Sequence, residues 1–334
     1  MSDPLLVAIF LTGMAVSLGF SWVLVQRLER VGARIGLSEA LLGMLAALAA
    51  DSPEITAAVT ALIGHNHAIG SGVVIGSNAF NLAALIGLSA VLAGRITLHR
   101  RVIELSGAVA LWIALVCLAV VVGLLSPLAG LLLALGAMGP YIAILGMRHE
   151  RLAQLRLPES WTRWLVAAVS EEESELEVAI HPSRGGPRDA VLAALAVVAV
   201  VAASIAMERT GAELGRRHGV SEVIIGGLLL AAVTGLPNAV AGVYLAMRAR
   251  GTAVLSTALN SNALNVLAGL LLPTTILGLG HTSGQTTFVA AFYLGLTAFA
   301  LACAYLTKGL RRPMGLVMIL AYLAFVGVLI ASAS

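Results

Sequence analysis

Ten runs of apolar residues, each of roughly twenty residues, leave this chain almost no way to fold in water. They cover residues 5–25, 38–63, 68–92, 103–125, 128–147, 190–207, 223–247, 254–277, 288–306 and 314–331, and a helix needs about 20 mostly apolar residues to cross a bilayer. The runs are continuous rather than alternating, so they predict helices and not the strands of a membrane barrel. With 59% of its residues hydrophobic and 11% charged, the chain is excluded from the ordinary water-soluble globules. The expected fold is an all-α polytopic membrane protein of ten helices. Runs two, three, seven and eight are long enough to tilt or break. The opening MSDPLLVAIF has neither a basic segment nor a small-residue cleavage pattern, so the first run is read as a retained helix.

Orientation follows from the twenty Lys and Arg residues, because basic loops stay on the cytoplasmic side. Seventeen fall in alternate loops: Arg27, Arg30 and Arg34; Arg95, Arg100 and Arg101; Arg148, Arg151, Arg156, Arg163, Arg184 and Arg188; Arg248 and Arg250; Lys308, Arg311 and Arg312. The opposite side holds Arg209, Arg216 and Arg217, all in loop 6–7. Both termini are therefore expected outside a cell (inner or plasma) membrane, with the central loop 148–188 in the cytoplasm. The net charge of +3 is a topology signal and gives no reason to expect nucleic acid.

Outside the spans little else carries chemistry. Cys117 and Cys303 sit in apolar runs and are read as buried structural residues. In the central loop, RLPESWTRWLVAAVS predicts a short amphipathic helix with Trp161 and Trp164 at the membrane interface, and EEESELE (171–177) reads as a solvated charge run. His65 and His67 lie in loop 2–3 and are read as solvated. No metalloprotease, hydrolase or other catalytic motif is present, which predicts a non-enzyme without a cofactor.

The halves of the chain repeat. LSEALLGMLAALAADSPEITAAV aligns with VSEVIIGGLLLAAVTGLPNAVAGV, and GSNAFNLAALIGL with NSNALNVLAGLLL. Pro53 to Ser77 and Pro237 to Ser261 are both 24 residues apart, so the two motif pairs share one offset of 184. Chance similarity between apolar segments does not reproduce polar residues at fixed spacing. Five helices per half is an odd number, so the second copy enters the membrane from the opposite side. This divides the chain into a first repeat (1–147), a linker (148–188) and an inverted second repeat (189–334).

Proline removes a helix hydrogen bond, so Pro53 and Pro237 are expected to break helices two and seven near the bilayer midplane and free carbonyls for a cation. Asp51 and Glu54 are the carboxylates read as deep in a span; Glu39, Glu104 and Glu222 fall near helix ends. A charged side chain at the bilayer centre costs roughly 2.5–3.5 kcal/mol, and no Lys or Arg lies deep enough to neutralise these two. Ser77 and Asn81 are four residues apart on one helical face, as are Ser261 and Asn265. With Thr234 and Asn238 they make a cage of hard oxygen ligands, suited to Na⁺ or Ca²⁺.

At these residues the chain resembles the calcium/cation antiporter superfamily, which includes the sodium/calcium exchangers: SPE followed by GSNAFN, then LPN followed by NSNALN, look like its two α-repeats. The resemblance implies alternating access, with Na⁺ and Ca²⁺ competing for one midplane site while helices one and six slide across the core. It also implies Glu54 as the acidic ligand of the first repeat, Ser77 and Asn81 as ligands of helix three, and Thr234, Asn238, Ser261 and Asn265 as their counterparts. The chain departs from the pattern at Asn238, where the family usually has a second glutamate, and at Ala50 and Asp51, where it has a hydroxyl pair. Both carboxylates thus come from one repeat. Metal ligation by Glu54, Asp51, Asn81 and Asn265 serves Na⁺/Ca²⁺ exchange on one reading and Na⁺ (or another cation)/H⁺ exchange on a second. On a third, the chain is a non-transporting scaffold or sensor. The oligomeric state is open.

Overall fold

The structure, a computed structural model, describes residues 1–147, 151–152, 158–179 and 185–332, without the side chains of Glu39 and 175–179. Arg148, Arg156 and Arg184 lie outside the described residues. Twelve helical segments carry the fold: α1 (Asp3–Ile35), α2 (Glu39–Ala50), α3 (Ser52–Ile63), α4 (His67–Ala93), α5 (Arg100–Val121), α6 (Pro127–Gly146), α7 (Glu159–Ala179), α8 (Pro187–His218), α9 (Glu222–Met247), α10 (Gly251–Leu277), α11 (Gly284–Thr307) and α12 (Arg312–Ala331). Among the described residues nine helices are long and apolar enough to cross a membrane. The bent pair α2 and α3, at 48° to each other, makes up to ten.

Physical chemistry at the ends of the helices explains several boundaries. Ser38 caps α2 by accepting from the Leu41 N–H (3.3 Å) and donates to the Leu145 carbonyl of α6 (2.8 Å). Gly36, at φ 77°, closes α1 in the left-handed conformation that glycine adopts without penalty. At 33 and 32 residues, α1 and α8 run about 50 Å, well beyond the roughly 30 Å hydrocarbon layer. They lie against each other, with Gly13 so close to α8 that an added Cβ would stand 2.9 Å from the Ala203 carbonyl. Ser17 and Ser204 share a hydrogen bond of 2.8 Å across the pair.

The spans α4 and α10 are the most enclosed and form the centre of the molecule, each 83% buried over its apolar window. Where α4 crosses α9 the backbones touch: a Cβ on Gly72 would stand 3.0 Å from the Gly227 nitrogen, and one on Gly76 would penetrate the Gly227 carbonyl. Small residues permit this approach, the usual means by which spans associate in lipid.

Three features depart from expectation. The ninth helix, the seventh span, is not broken at Pro237; that proline sits inside a continuous helix (Ala231–Met247), preceded by a π-helical turn at Ile225–Leu230. Further π-helical runs occur in the other two core spans, one directly after Asn81 at Leu82–Leu88 and one beginning with Asn265 at Asn265–Leu271. A two-stranded antiparallel ladder, β1 (Arg95–Thr97) with β2 (Gly309–Arg311), joins loops 3–4 and 9–10 in the register Arg95↔Arg311.

The loops sort onto two faces. Arg34 donates to the Gly185 carbonyl (3.2 Å), the His99 N–H to Thr252 Oγ1 (3.3 Å), and Arg27 pairs with Asp189 (2.9 Å), so loops 1–2, 3–4, 7–8 and 9–10 gather beside the linker. On the opposite face Arg217 pairs with Asp3 (2.8 Å), Gly280 lies against His67, and Gln285 donates to the Ser332 carbonyl (3.1 Å). These are named below the linker face and the N-terminal face.

The linker is more ordered than its charge suggests. The predicted amphipathic helix extends through the acidic run as α7 and packs on α2, α5 and α10. Glu171 pairs with Arg101 of α5, Trp164 donates to Glu104 (3.3 Å), and Trp161 is exposed. Cys117 is buried and Cys303 half-buried, both free. His65 is exposed, whereas His67 is packed under loop 8–9 instead of being fully solvated.

Candidate functional site

The two deep carboxylates come from the break between α2 and α3. Asp51 ends α2 and Glu54 stands in the first turn of α3, and both are fully buried. Pro53 has no N–H to offer the Ala49 carbonyl four residues back. That oxygen accepts instead from the hydroxyls of Ser52 (2.7 Å) and of Ser21 on α1 (3.1 Å). The carbonyl freed by Pro53 is therefore occupied by protein hydroxyls, not left open for a cation.

Donors from the second repeat hold each carboxylate. Asp51 Oδ1 accepts from Asn238 Nδ2 (2.7 Å) and from Ser261 Oγ (2.8 Å), while Glu54 Oε2 accepts from Asn265 Nδ2. Asn81 Nδ2 donates to Asn262 Oδ1 (3.1 Å) and, at 3.5 Å, to Ser261 Oγ. Ser77 donates to the Val74 carbonyl (3.0 Å) and lies against Glu54. The buried Thr234 hydroxyl donates to the Leu230 carbonyl of its own helix (2.8 Å) rather than to these side chains. The structure thus brings Asp51, Glu54, Asn81, Asn238, Ser261 and Asn265 into one hydrogen-bonded network.

Two members of that network were not singled out from the sequence. Asn78 Nδ2 donates to the Asn262 carbonyl (3.0 Å) and Asn262 Nδ2 to the Asn78 carbonyl (3.1 Å). The residues are 184 apart, so the repeat offset that identifies Asn81 and Asn265 also identifies this reciprocal clasp. It ties α4 to α10 at the centre and presents Asn78 Oδ1 to Asn265 (3.4 Å).

The remaining oxygens define the chemistry. Asp51 Oδ2, Glu54 Oε1, Asn81 Oδ1 and Asn265 Oδ1 are buried acceptors without a donor. Leaving such a group unpaired costs about 1–3 kcal/mol, more if charged, and no ion pair to either carboxylate occurs among the described residues. Four electronegative oxygens, two of them on carboxylates, call for cations or protons. No group of three or more His, Cys, Asp or Glu side chains that could hold a metal occurs among the described residues, so amide and hydroxyl oxygens must complete any coordination.

A family model for the sodium/calcium exchanger protein matches residues 5–148 and 189–331. The chain belongs to that family. It is accordingly a multi-pass membrane protein of a cation antiporter family, and the family is one of transporters. Among solved structures it is similar to the sodium-calcium exchanger NCX_Mj soaked with Na⁺ and Sr²⁺, at 19% identity and a TM-score of 0.59 over 98% of this chain and 99% of that one. It is similar also to the H⁺/Ca²⁺ exchanger CAX, at 14% identity and 0.70 over 98% and 86%. Native YfkE gives 14% identity and 0.63 over 98% and 93%. No curated protein sequence matches the chain. These structural likenesses establish the exchanger fold.

Within this exchanger fold the two repeats differ where they approach the faces. The close crossing at Gly72 and Gly76 has as its counterparts, 184 residues on, Ser256 and Asn260 of α10. Tyr141 donates to Asn260 Oδ1 there (3.0 Å), and Glu172 of the linker helix reaches Ser256. Glu172 is 1% exposed, and neither carboxylate oxygen has a hydrogen-bond donor. Sequence reading missed it because the acidic run looked solvated throughout.

Burial pushes the Glu172 carboxyl up to about 7; Ser256 opposes the shift and the charge of Glu173 adds to it. A carboxyl whose pKa rises on docking holds its proton more tightly docked than free. Docking of α7 is therefore strongest below the ordinary value of 4.5, weakens between there and 7, and loses about 3 kcal/mol above that range. The protection of residues 159–179 against hydrogen exchange, with the intrinsic base-catalysed rise in exchange divided out, is expected to fall as pH rises from 5 to 8 in the wild type and to stay flat in Glu172→Gln. Equal pH dependence in both would contradict the burial account.

Proposed function

We propose that this exchanger-family protein exchanges Na⁺ for Ca²⁺ across a cell membrane, the two ions competing for one site at Asp51, Glu54, Asn81 and Asn265. The four buried oxygens without donors are the observation that carries the reading. They are hard ligands, the class preferred by both ions, and Ser77, Asn238 and Ser261 stand close enough to complete or orient the shell.

Asp51 replaces the carboxylate that the second repeat lacks. Its bonds to Asn238 and Ser261 point it toward the second-repeat side, while Glu54 is held by Asn265. Two negative charges thus face the site although both originate in the first repeat. The basic loops mark the linker face as cytoplasmic and the N-terminal face as external. Sliding of α1 and α8 together across the core alternates access, with Ser21 of α1 tied to the break at Ala49.

Calorimetry on the purified protein tests this reading: Ca²⁺ binds with an apparent affinity that falls as Na⁺ is added, and Glu54→Gln weakens that affinity about a hundredfold or more. Ca²⁺ binding indifferent to Na⁺ would refute the shared site. Asn238→Glu supplies a further prediction. The new carboxylate meets Asp51, so without Ca²⁺ the variant melts at a lower temperature than the wild type. With Ca²⁺ it gains more thermal stability than the wild type does, because a divalent ion relieves the repulsion. An unchanged response to Ca²⁺ would remove Asn238 from the site.

A further inference from the structure

A third buried carboxylate stands on a spanning helix, between the central site and the N-terminal face. Glu208 belongs to α8 and is 2% exposed. Its Oε1 has no hydrogen-bond donor, and the side chain lines a cavity of about 800 Å³ between α3, α8 and the start of α9. The Asn66 side chain lies against it. Thr60 and Ser221 add hydroxyl oxygens to the same wall; Thr60 donates its proton to the Thr56 carbonyl and Ser221 accepts from the Ile224 N–H, so each keeps an acceptor position free.

Among the described residues no ion pair reaches Glu208, although charged groups share its cavity. Glu213 is already neutralised by Arg216 and Arg217 (2.9 and 2.7 Å). Arg209, the next residue, is largely exposed and also lines the cavity, where its charge acts on Glu208 without forming an ion pair with it. Glu222 is also exposed, at the rim. The cavity wall on α3 includes Thr60, six residues and so about 9 Å along the helix from Glu54.

We propose that Glu208 forms a second cation site, a hard-oxygen stop for Na⁺ or Ca²⁺ passing between the N-terminal face and the central carboxylates. A buried carboxylate with a vacant oxygen on a cavity roomy enough for a hydrated ion raises the local cation concentration and begins to replace the hydration shell before the ion reaches Glu54. The relay role rests on the antiport reading, whereas the existence of a cation site at Glu208 does not.

Two measurements separate these statements. In Glu54→Gln protein, equilibrium dialysis with ⁴⁵Ca²⁺ or ²²Na⁺ at concentrations too low to fill the hundredfold-weakened central site is expected to show residual binding that disappears when Glu208→Gln is added. Absence of residual binding of both ions, or its persistence in the double variant, would overturn the site. In vesicles of defined sidedness, Glu208→Gln alone is expected to raise the half-saturating Ca²⁺ concentration about tenfold from the N-terminal face. The value from the linker face and the maximal rate stay within twofold of wild type, and Glu208→Asp restores part of the loss. An equal change from both faces would show that Glu208 supports the fold and carries no ion. Residual binding with no flux in any variant would retain the site and refute exchange.

Discussion

Glu54→Gln protein is expected to reach the membrane at wild-type yield, to melt no lower than the wild type, and to carry no ion. Glutamine has the same shape and keeps an oxygen for Asn265, so the hydrogen bond that fixes the side chain survives. Removing a charge from a fully buried position lowers the cost of insertion. What disappears is half of the negative charge facing the site. A charge-assisted ligand contact contributes about 1.5–3 kcal/mol, and loss of the ion's counter-charge adds to this, so apparent cation affinity should fall about a hundredfold or more. Flux and melting temperature measured on one preparation distinguish this from misfolding. Normal transport by a well-expressed variant would remove Glu54 from the site.

Gly76→Ala is expected to do the opposite, damaging the fold before it touches the ion. An added Cβ would overlap the Gly227 carbonyl and Cα, which are backbone atoms and cannot rotate aside. Overpacking of a core usually costs about 1–3 kcal/mol, and here the only relief is to part α4 from α9 along their whole crossing, so the upper end applies. Gly139→Ala in α6 is the control: nothing lies within 4 Å of its added Cβ, and alanine favours a helix by up to about 1 kcal/mol. Thermal unfolding in detergent should therefore fall by several degrees for Gly76→Ala and hold or rise for Gly139→Ala. Equal melting temperatures would mean that the crossing is looser than the structure has it.

The sequence disclosed the spans because a bilayer demands long apolar runs, and it disclosed most of the network because polar residues recur at the 184-residue offset. Asn78 and Asn262 were available to the same test and differ from Asn81 and Asn265 only in being one position past Ser77 and Ser261 in each motif. Other features were hidden for identifiable reasons. Helices α1 and α8 continue past their apolar runs into charged turns, so an apolar run ending at residue 207 left Glu208 outside its span. The π-helical turns fall in runs such as LAALIGL, where every residue suits an α-helix equally well. Pro53 and Pro237 look alike in sequence, yet the chain bends by 48° at Asp51, where Ser21 and Ser52 take up the released carbonyl, while α9 runs on through Pro237. Glu172 is set apart from Glu171 by tertiary contact: one carboxylate meets Arg101 and the other turns inward toward Ser256.

Ion flux in proteoliposomes tests the central claim most directly. Vesicles loaded with Na⁺ are diluted into Na⁺-free buffer containing ⁴⁵Ca²⁺, with a pH-sensitive dye reporting protons in parallel. The proposed exchange predicts Ca²⁺ uptake that requires internal Na⁺, is absent in Glu54→Gln vesicles and leaves the dye unchanged. No Ca²⁺ uptake, together with proton movement driven by the Na⁺ gradient, would contradict it and place the same carboxylates in a monovalent cation/proton antiporter.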